Sequence, residues 1–302
     1  MSSVAAILLV LSAFTHAGWN FLSKKEHPSL AFYFVANTFG VLCVLPILMY
    51  YSDRIAQVPI FVWGCLVCSG FFLAAYMAAL AGAYRAGDMS IAYPLARSLP
   101  AILVTGVTLI LGLGKTVNLW FIIGVIFIVV GCIMLPMSTF GDFRFRNYSN
   151  FCCLLAVLAA ACIAGYTMID HEALRRLRSL SGRSFDPIEA TLVYIVLEAV
   201  STSAWKATLV LISQRERERL RQVLRTYKRS AVLTGIGIYV TYGLVLASMN
   251  FVDNVSYVAA FRQLSIPLGA LLGMAFLKEP PYQPKITGVA VIFAGLVLAG
   301  SV

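Results

Sequence analysis

Charged residues are scarce in this chain of 302 residues. Only 12% are Asp, Glu, Lys or Arg, where a soluble domain has about 25%. Acids are the scarcer sign, with 13 Asp and Glu against 23 Lys and Arg, and His occurs three times. This composition argues against an ordinary soluble domain. The net charge of +10 does not indicate nucleic-acid binding, because the basic residues cluster between apolar segments, a footprint of membrane topology.

The sequence also lacks the motifs that mark several enzyme classes. It contains no HExxH, no P-loop, no GxSxG and no dinucleotide fingerprint. The missing P-loop predicts that this chain is not itself an ATP-driven pump. Its seven cysteines all fall in apolar segments, where they are expected to pack as small hydrophobic residues. We therefore predict no catalytic residue, no cofactor and no metal site.

Apolar residues make up 60% of the chain, and mean hydropathy is +0.87. They form blocks of roughly 20 residues, the length at which a helix crosses a bilayer. The first block has no basic residues before it, so it is not interpreted as a signal peptide. We predict an all-α polytopic membrane protein with ten spans: 4–23, 30–50, 60–82, 90–110, 117–137, 151–169, 188–212, 231–251, 256–277 and 285–302.

The loops predict an orientation. The odd-numbered loops carry 14 Lys and Arg and the even-numbered loops carry six. By the positive-inside rule both termini lie outside the cytoplasm, in what we expect to be a bacterial inner membrane. The Arg-rich loop 170–187 counts against this orientation, because it would be external. Residues 213–230 interleave Arg and Glu and then carry leucines at helical spacing. They predict a helix lying on anionic lipid headgroups, with a solvated charged loop as the alternative.

The second half of the chain repeats features of the first in order. Asp88 and Arg97 correspond to Asp253 and Arg262 at one offset. Ser69-Gly70 corresponds to Thr234-Gly235 at the same offset. Further matches at other offsets are Tyr33 and Asn37 with Tyr194 and Glu198, Ala17-Gly18-Trp19 with Ala164-Gly165-Tyr166, and Gly124 and Gly131 with Gly288 and Gly295. With five spans each, the halves would have opposite orientations. We predict two inverted-topology five-helix repeats, 1–140 and 141–302, with a substrate site between them near the midplane.

These features resemble the drug/metabolite transporter superfamily, and within it the ten-helix EamA-like transporters. The resemblance rests on the five-plus-five helices, the segment HAGWN from His16 to Asn20, and the paired segments GVIFIVVG and GVAVIFAG. It implies alternating-access transport of a metabolite such as an amino acid, a sugar phosphate, a nucleotide sugar or an organic cation. For many members it also implies cytoplasmic termini, which conflicts with the charge count; we keep the charge count as our prediction.

Two arginines inside apolar spans are the first candidates for a substrate site. Arg97 and Arg262 are costly in a membrane and are therefore functional candidates, and a guanidinium group matches carboxylate and phosphate geometry. The structural alternative is that they hold helices together. Pro94 and Pro100 free backbone carbonyls near Arg97. That alternative is therefore stronger for Arg97 than for Arg262, which has only Pro267 nearby.

Glu198, Asn37 and His16 are the next polar residues inside spans. Glu198 is the only acid deep inside a predicted span, and its counterpart is Asn37. It could bind a substrate amine, carry a coupling proton or neutralise an arginine. His16 has no polar counterpart, since Ile163 takes its place. It is a second candidate for proton coupling, with a hydrogen bond to a neighbouring helix as the alternative.

Aromatic residues recur near these positions and could line a cavity or hold an ammonium group, although most should pack in the core. The candidates for substrate contact are Trp19, Tyr33, Tyr76, Tyr166, Tyr194 and Tyr242. Trp205 and Lys206, nearer a span end, predict an interface anchor whose lysine extends to the membrane surface.

Together these residues predict a secondary transporter of a small anionic or zwitterionic metabolite that bears a carboxylate, phosphate or phosphonate. Arg97 and Arg262 against Glu198 leave a central charge of +1 with His16 neutral. The alternatives are an exporter or flippase of amphipathic or lipid-linked compounds, a membrane-embedded enzyme that uses His16 and Glu198 as acid and base on lipid headgroups, and a scaffold or sensor that transports nothing.

Overall fold

The computed structural model describes residues 2–24, 29–86, 89–110, 118–134, 137–142, 151–179, 186–253, 255–276 and 281–300. These residues are almost entirely helical and contain no strand. Asp88 lies outside them. The helices are α1 Ser3–Lys24, α2 Leu30–Tyr50, α3 Ser52–Ile55, α4 Ile60–Ala86, α5 Met89–Ile110, α6 Leu119–Met134, α7 Phe151–Arg178, α8 Pro187–Ile212, α9 Gln214–Thr226, α10 Lys228–Met249, α11 Val255–Phe261, α12 Ser265–Phe276 and α13 Gln283–Gly300.

Six of the described helices, α1, α2, α4, α7, α8 and α10, are long and apolar enough to cross a membrane, and α6 and α13 are shorter apolar helices. Large apolar side chains cover their outer faces, as lipid contact requires; examples are Phe14, Ile60, Phe127, Phe151, Ile212 and Phe293. The prediction of an all-α polytopic membrane protein is confirmed. The count of ten crossings remains a prediction.

Helix α7 and the predicted span 256–277 depart most from the expected boundaries. Helix α7 continues to Arg178, so the predicted loop 170–187 was wrong over its first nine residues. Ala173, Leu174 and Leu177 are buried on that extension, and Glu172 pairs with Arg175 and Arg176 at helical spacing, which stabilises the added turns.

The predicted span 256–277 is not one continuous α-helix. A 3₁₀ turn at Arg262–Leu264 separates α11 from α12. The break lies just before Pro267, whose ring cannot donate a backbone hydrogen bond and clashes with the carbonyl four residues earlier. Arg262 therefore lies at a helix interruption, where its own carbonyl oxygen accepts side-chain hydrogen bonds.

The packing of helices across the middle of the chain is reciprocal. Helix α4 packs on α7 and α8, while α10 packs on α1 and α2. Helix α5 packs on α7, while the α11–α12 segment packs on α1. Helices α2 and α8 pack on each other, as do α6 and α13. Every one of these contacts joins a helix before residue 140 to one after it, so the two parts of the chain share one interface.

Small residues allow close approach at this interface. A Cβ atom at Gly124 would lie 2.6 Å from the carbonyl oxygen of Gly295, and one at Gly131 would lie 2.7 Å from that of Gly288. Only glycine allows two helix backbones to come this close. Because the earlier glycine of α6 faces the later glycine of α13, these two helices run antiparallel.

Helix α9 lies over the ends of other helices. Its Glu216 is buried and accepts a hydrogen bond from the backbone N–H of Ala31, at the start of α2, over 2.9 Å. The same carboxylate pairs with Arg85 at the end of α4 over 3.3 Å and with Arg219 over 3.1 Å. An acid at a helix N-terminus is favourable, so Glu216 anchors α9 to both α2 and α4.

Candidate functional site

A cavity lies between the two parts of the chain, and it contains most of the residues singled out from the sequence. The walls come from α1, α2, α4, α5, α7, α8 and α10 and from the break before α12. Nine of the eleven predicted site residues line it: His16, Trp19, Asn37, Tyr76, Arg97, Tyr166, Glu198, Tyr242 and Arg262. The other two, Tyr33 and Tyr194, are buried but are not among the lining residues.

The two arginines meet at the break between α11 and α12. Arg97 is 3% exposed. Its Nη2 donates to the backbone carbonyl of Arg262 over 3.4 Å and to the hydroxyl of Ser265 over 3.2 Å. Its Nε has no hydrogen-bond partner among the described residues. Arg97 therefore donates to a backbone carbonyl, as the structural alternative predicted. That carbonyl belongs to its counterpart Arg262, and Nε of Arg97 remains available to a ligand.

Arg262 has more partners than the sequence suggested. Its Nη2 donates to the hydroxyl of Tyr166 over 2.8 Å, and its Nη1 donates to that of Thr167 over 3.3 Å. The guanidinium carbon lies 5.6 Å from the centre of the Tyr166 ring, a cation–π distance. Tyr76 and Tyr242 lie near Tyr166, with ring centres 6.4 and 6.3 Å from its ring. Arg262 is therefore held in place by α7 within an aromatic cluster.

The acid Glu198 lies next to a second acid that sequence reasoning missed. Asp170, from α7, is fully buried, and Glu198, from α8, is 1% exposed. The hydroxyl oxygen of Ser69 lies 2.5 Å from a carboxyl oxygen of each. Asp170 also accepts hydrogen bonds from Tyr194 and from Tyr242. The residues Ser69, Asp170, Tyr194, Glu198 and Tyr242, here called the acid network, connect α4, α7, α8 and α10.

Asn37 is the centre of another buried cluster. Its side-chain oxygen accepts from the ammonium group of Lys206 over 3.1 Å and from the hydroxyl of Tyr239 over 2.7 Å. Its amide nitrogen donates to the hydroxyl of Ser203 and to the carbonyl of Ala199 over 3.3 Å. Lys206 is only 2% exposed, so the prediction that it extends to the membrane surface was wrong. Trp205 points outward and donates to the carbonyl of Val67.

His16 and Trp19 lie together on α1, with ring centres 4.7 Å apart. Each has a buried ring nitrogen, Nε2 of His16 and Nε1 of Trp19, with no hydrogen-bond partner in the described part of the chain. The hydroxyl of Thr202, on the opposite wall, has none either. Buried polar atoms are rarely left unpaired, so these atoms and Nε of Arg97 mark where a ligand or water can bind.

Sequence signals existed for the residues that were missed. Lys206 follows Glu198 and Thr202 at intervals of four, which places all three on one face of α8. Asp170 follows Tyr166 at the same interval. It was assigned to a loop because the apolar run ends there, although a helix can continue after hydropathy falls. Within the residues that the structure describes, no group of three or more His, Cys, Asp or Glu is placed to hold a metal ion.

Comparison with known proteins gives a consistent result. The model of the EamA-like transporter family matches residues 150–301. A solved structure, described only as the crystal structure of a protein, superimposes with a TM-score of 0.70 at 15% sequence identity, over 100% of this chain and 98% of that one. At that identity the likeness shows a shared fold. No curated protein sequence matches the chain.

Proposed function

We propose that this chain, which belongs to the EamA-like transporter family, is a secondary active transporter of a small polar metabolite. The metabolite would be anionic or zwitterionic and would bear a carboxylate, phosphate or phosphonate group. It is an integral multi-pass membrane protein, and membership suggests that it carries small molecules across that membrane. We propose alternating access around the central cavity, without enzymatic activity.

The unpartnered donors of the cavity carry this proposal. Nε of Arg97 and Nε1 of Trp19 can only donate hydrogen bonds, and both are buried in the cavity wall without a partner in the described part of the chain. Carboxylate, phosphate and phosphonate oxygens accept such bonds, and charge on the acceptor strengthens them, whereas an apolar ligand accepts none. The charges near the cavity agree: with all groups ionised and His16 neutral, the cations Arg97, Arg262 and Lys206 exceed the acids Asp170 and Glu198 by one.

We assign substrate contact first to Arg97, Trp19 and His16, because their unpartnered atoms lie in the cavity. Arg262 and Tyr166 would form the aromatic and cationic wall behind the anion, with Tyr76 and Tyr242 beside them. Asn37 would act by holding Lys206. Tyr33 and Tyr194 are buried away from the lining, so we propose supporting roles for them.

We also propose that residues 1–140 and 141–302 are inverted repeats that move against each other. The reciprocal helix contacts and the antiparallel glycine contacts of α6 and α13 support this division. Transporters built this way place substrate at the repeat interface, where the cavity lies. For the termini we keep the outward orientation in a bacterial inner membrane. A C-terminal green fluorescent protein fusion exported through the general secretion pathway should then be dark, whereas fluorescence would reverse the orientation.

The test is a thermal-shift screen of the purified protein in detergent with carboxylates, phosphate esters, phosphonates, amino acids, organic cations and lipids. At about a hundredfold excess over Kd, a ligand stabilises the folded state by about 2.7 kcal/mol. We expect stabilisation by anions or anionic zwitterions and counterflow of the best of them in liposomes. Arg97→Ala and Arg262→Ala should abolish both effects. Stabilisation by lipids alone would favour the flippase, and unchanged uptake in both variants would refute an anion site.

Helix α9 is the proposed contact with anionic lipid. Arg217, Arg221 and Arg225 lie at intervals of four on its exposed side, while Val223 is buried on the other. Each cation near an anionic surface contributes about 1 kcal/mol. Adding phosphatidylglycerol to the detergent should raise the melting temperature of the wild-type protein more than that of the triple Gln variant at these positions. The exposed pair Arg175 and Arg176 on α7 gives the matched control, and equal shifts in all proteins would exclude the lipid contact.

A further inference from the structure

Two buried carboxyl groups share one hydroxyl group between the two parts of the chain. Ser69 Oγ lies 2.5 Å from Oδ1 of Asp170 and 2.5 Å from Oε1 of Glu198. Ser69 is fully buried, like Asp170. Ionised carboxylates are seldom buried together, because each lacks hydration and repels the other.

The hydrogen atoms of this group can be counted. A serine hydroxyl has one hydrogen, which it can donate to only one carboxyl group at a time. The second carboxyl oxygen lies just as close to Ser69 Oγ. That contact is a hydrogen bond only if the second carboxyl group carries a proton and donates it to Ser69. Hydrogen bonds in both contacts therefore require that one of the two acids is protonated.

The tyrosines indicate which acid carries the proton. Asp170 accepts from the hydroxyl of Tyr194 over 2.9 Å and, on its other oxygen, from that of Tyr242. With Ser69 as a third donor, Asp170 has the surroundings of an ionised carboxylate, because hydrogen bonds to the charged form favour it. Glu198 is then the protonated acid and donates to Ser69.

Glu198 also has access to the cavity. Its side chain is part of the cavity lining, whereas that of Asp170 is not. One helical turn further on, Thr202 lines the same cavity, is 3% exposed, and has a hydroxyl with no partner among the described residues. That hydroxyl can accept and pass on a proton next to Glu198. The Thr202 hydroxyl takes no part in the hydrogen bonds of the acid network.

The titratable and charged groups around Glu198 come from most of the helices packed against α8. Helix α7 presents Asp170, and helix α10 presents tyrosines. Helix α2 presents the neutral amide of Asn37, α4 presents Ser69 and a thiol, and α9 lies at the distant end with Glu216 and its arginines. The groups that can exchange or hold charge are Cys65, Asp170, Tyr194, Lys206, Tyr239, Tyr242 and, across the cavity, His16, Arg97 and Arg262.

We infer that Glu198 is the proton-carrying residue of an anion–proton symport, with Asp170 as its fixed negative partner and Ser69 as the bridge between them. This inference rests on the proposed function. With Glu198 protonated, the three cations Arg97, Arg262 and Lys206 exceed Asp170 by two charges. When Glu198 releases its proton to water in the cavity, the excess falls to one. The proton on Glu198 therefore strengthens anion binding, and the anion and the proton cross the membrane together.

Infrared difference spectroscopy of the purified protein tests this assignment without a substrate. A protonated carboxyl group absorbs in a carbonyl-stretch region where carboxylates do not. Wild-type protein should show such a band at mildly acidic pH and lose it as the pH rises. Glu198→Gln should lack the band. Ser69→Ala should retain it at a shifted frequency, because one hydrogen bond is lost. Glu172→Gln, on the exposed part of α7, is the matched control and should leave the band unchanged.

The contrary outcomes are distinct. A band that remains in Glu198→Gln and disappears in Asp170→Asn would assign the proton to Asp170 and overturn the inference. The absence of any pH-dependent band in folded wild-type protein would overturn it as well. Anion stabilisation of the same wild-type sample tests the proposed function separately. If anions stabilise the protein equally at acidic and alkaline pH, the symport fails while the anion site stands. If the Glu198 band is present and no anion binds, the proposed function fails and the symport with it, while the protonation of Glu198 stands.

Discussion

The two walls of the cavity differ in how completely their polar atoms are paired. The wall from the first half carries His16, Trp19 and Arg97, each with a buried nitrogen that has no partner among the described residues. The wall from the second half carries Glu198, Lys206, Tyr242 and Arg262, whose side chains have protein partners. Thr202 is the exception on that side. The two parts of the chain make reciprocal helix contacts, but their polar side chains differ.

This difference suggests a division of labour. Groups that are already hydrogen-bonded are fixed in position, as a site needs if its ligand is to bind without large rearrangement. Groups with unused donors supply the affinity, because a ligand that meets them removes the penalty of an unpaired buried atom. The first half would then hold the substrate, and the second half would set the charge and the proton of the cavity.

The largest expected effect on anion binding separates the counterpart arginines. Arg97→Met removes the unpartnered donor and should weaken the best anion by about 30-fold or more, equivalent to about 2 kcal/mol. It should change folding stability less than Arg262→Met does. Arg262→Met also removes the donor to Tyr166 and Thr167, so it should lower both anion affinity and melting temperature. Isothermal titration and thermal unfolding in detergent measure the two effects.

Arg175→Met is the matched control, because Arg175 is 61% exposed on α7 and lies away from the cavity lining. It should leave anion affinity unchanged and lower the melting temperature only slightly, because an exposed ion pair contributes less than about 1 kcal/mol. If Arg97→Met keeps wild-type anion affinity while Arg262→Met loses it, the second half holds the substrate, and the division of labour proposed above is reversed.

The next effect concerns the Asn37–Lys206 contact between the halves. Asn37→Leu leaves the buried ammonium group of Lys206 without its acceptor, and should lower the stability of the protein by about 3 kcal/mol. Lys206→Met removes the charge and should be close to neutral for stability, because an apolar side chain of similar size can replace a buried cation. Thermal unfolding of both variants checks this order.

The double variant makes the test specific. Once Lys206 is Met, Asn37→Leu should have a much smaller effect, giving an interaction energy within the range of about 0.5–3 kcal/mol found for contacting residues. Tyr239→Phe removes a neutral donor from the same oxygen and should lower stability by about 1 kcal/mol. Strict additivity of Asn37→Leu and Lys206→Met would mean that the two side chains do not depend on each other.

The sequence predicted the helical membrane fold because its apolar runs are long. It predicted most of the cavity lining because a polar residue inside such a run is rare and therefore easy to identify. It failed where the polar residue lies at the edge of a run. Asp170 begins a polar stretch, and its burial depends on α4 and α10 packing over the end of α7. Lys206 lies close to a span end, and its direction depends on Asn37 from another helix. Such contacts between helices leave no local pattern.

The smallest effect tests where the halves are alike. In the α6–α13 contact, a Cβ at Gly131 would lie 2.7 Å from the carbonyl oxygen of Gly288, and one at its counterpart Gly295 would lie 2.6 Å from that of Gly124. Overpacking costs about 1–3 kcal/mol, so Gly131→Ala and Gly295→Ala should lower the melting temperature by similar amounts. Gly106→Ala on α5, whose Cβ would meet nothing within 4 Å, should be neutral or slightly stabilising. Unequal losses at Gly131 and Gly295 would show that the likeness of the halves ends at their backbones. Equal losses would indicate that the two parts of the chain differ only in their polar side chains, which we propose bind the substrate and the proton.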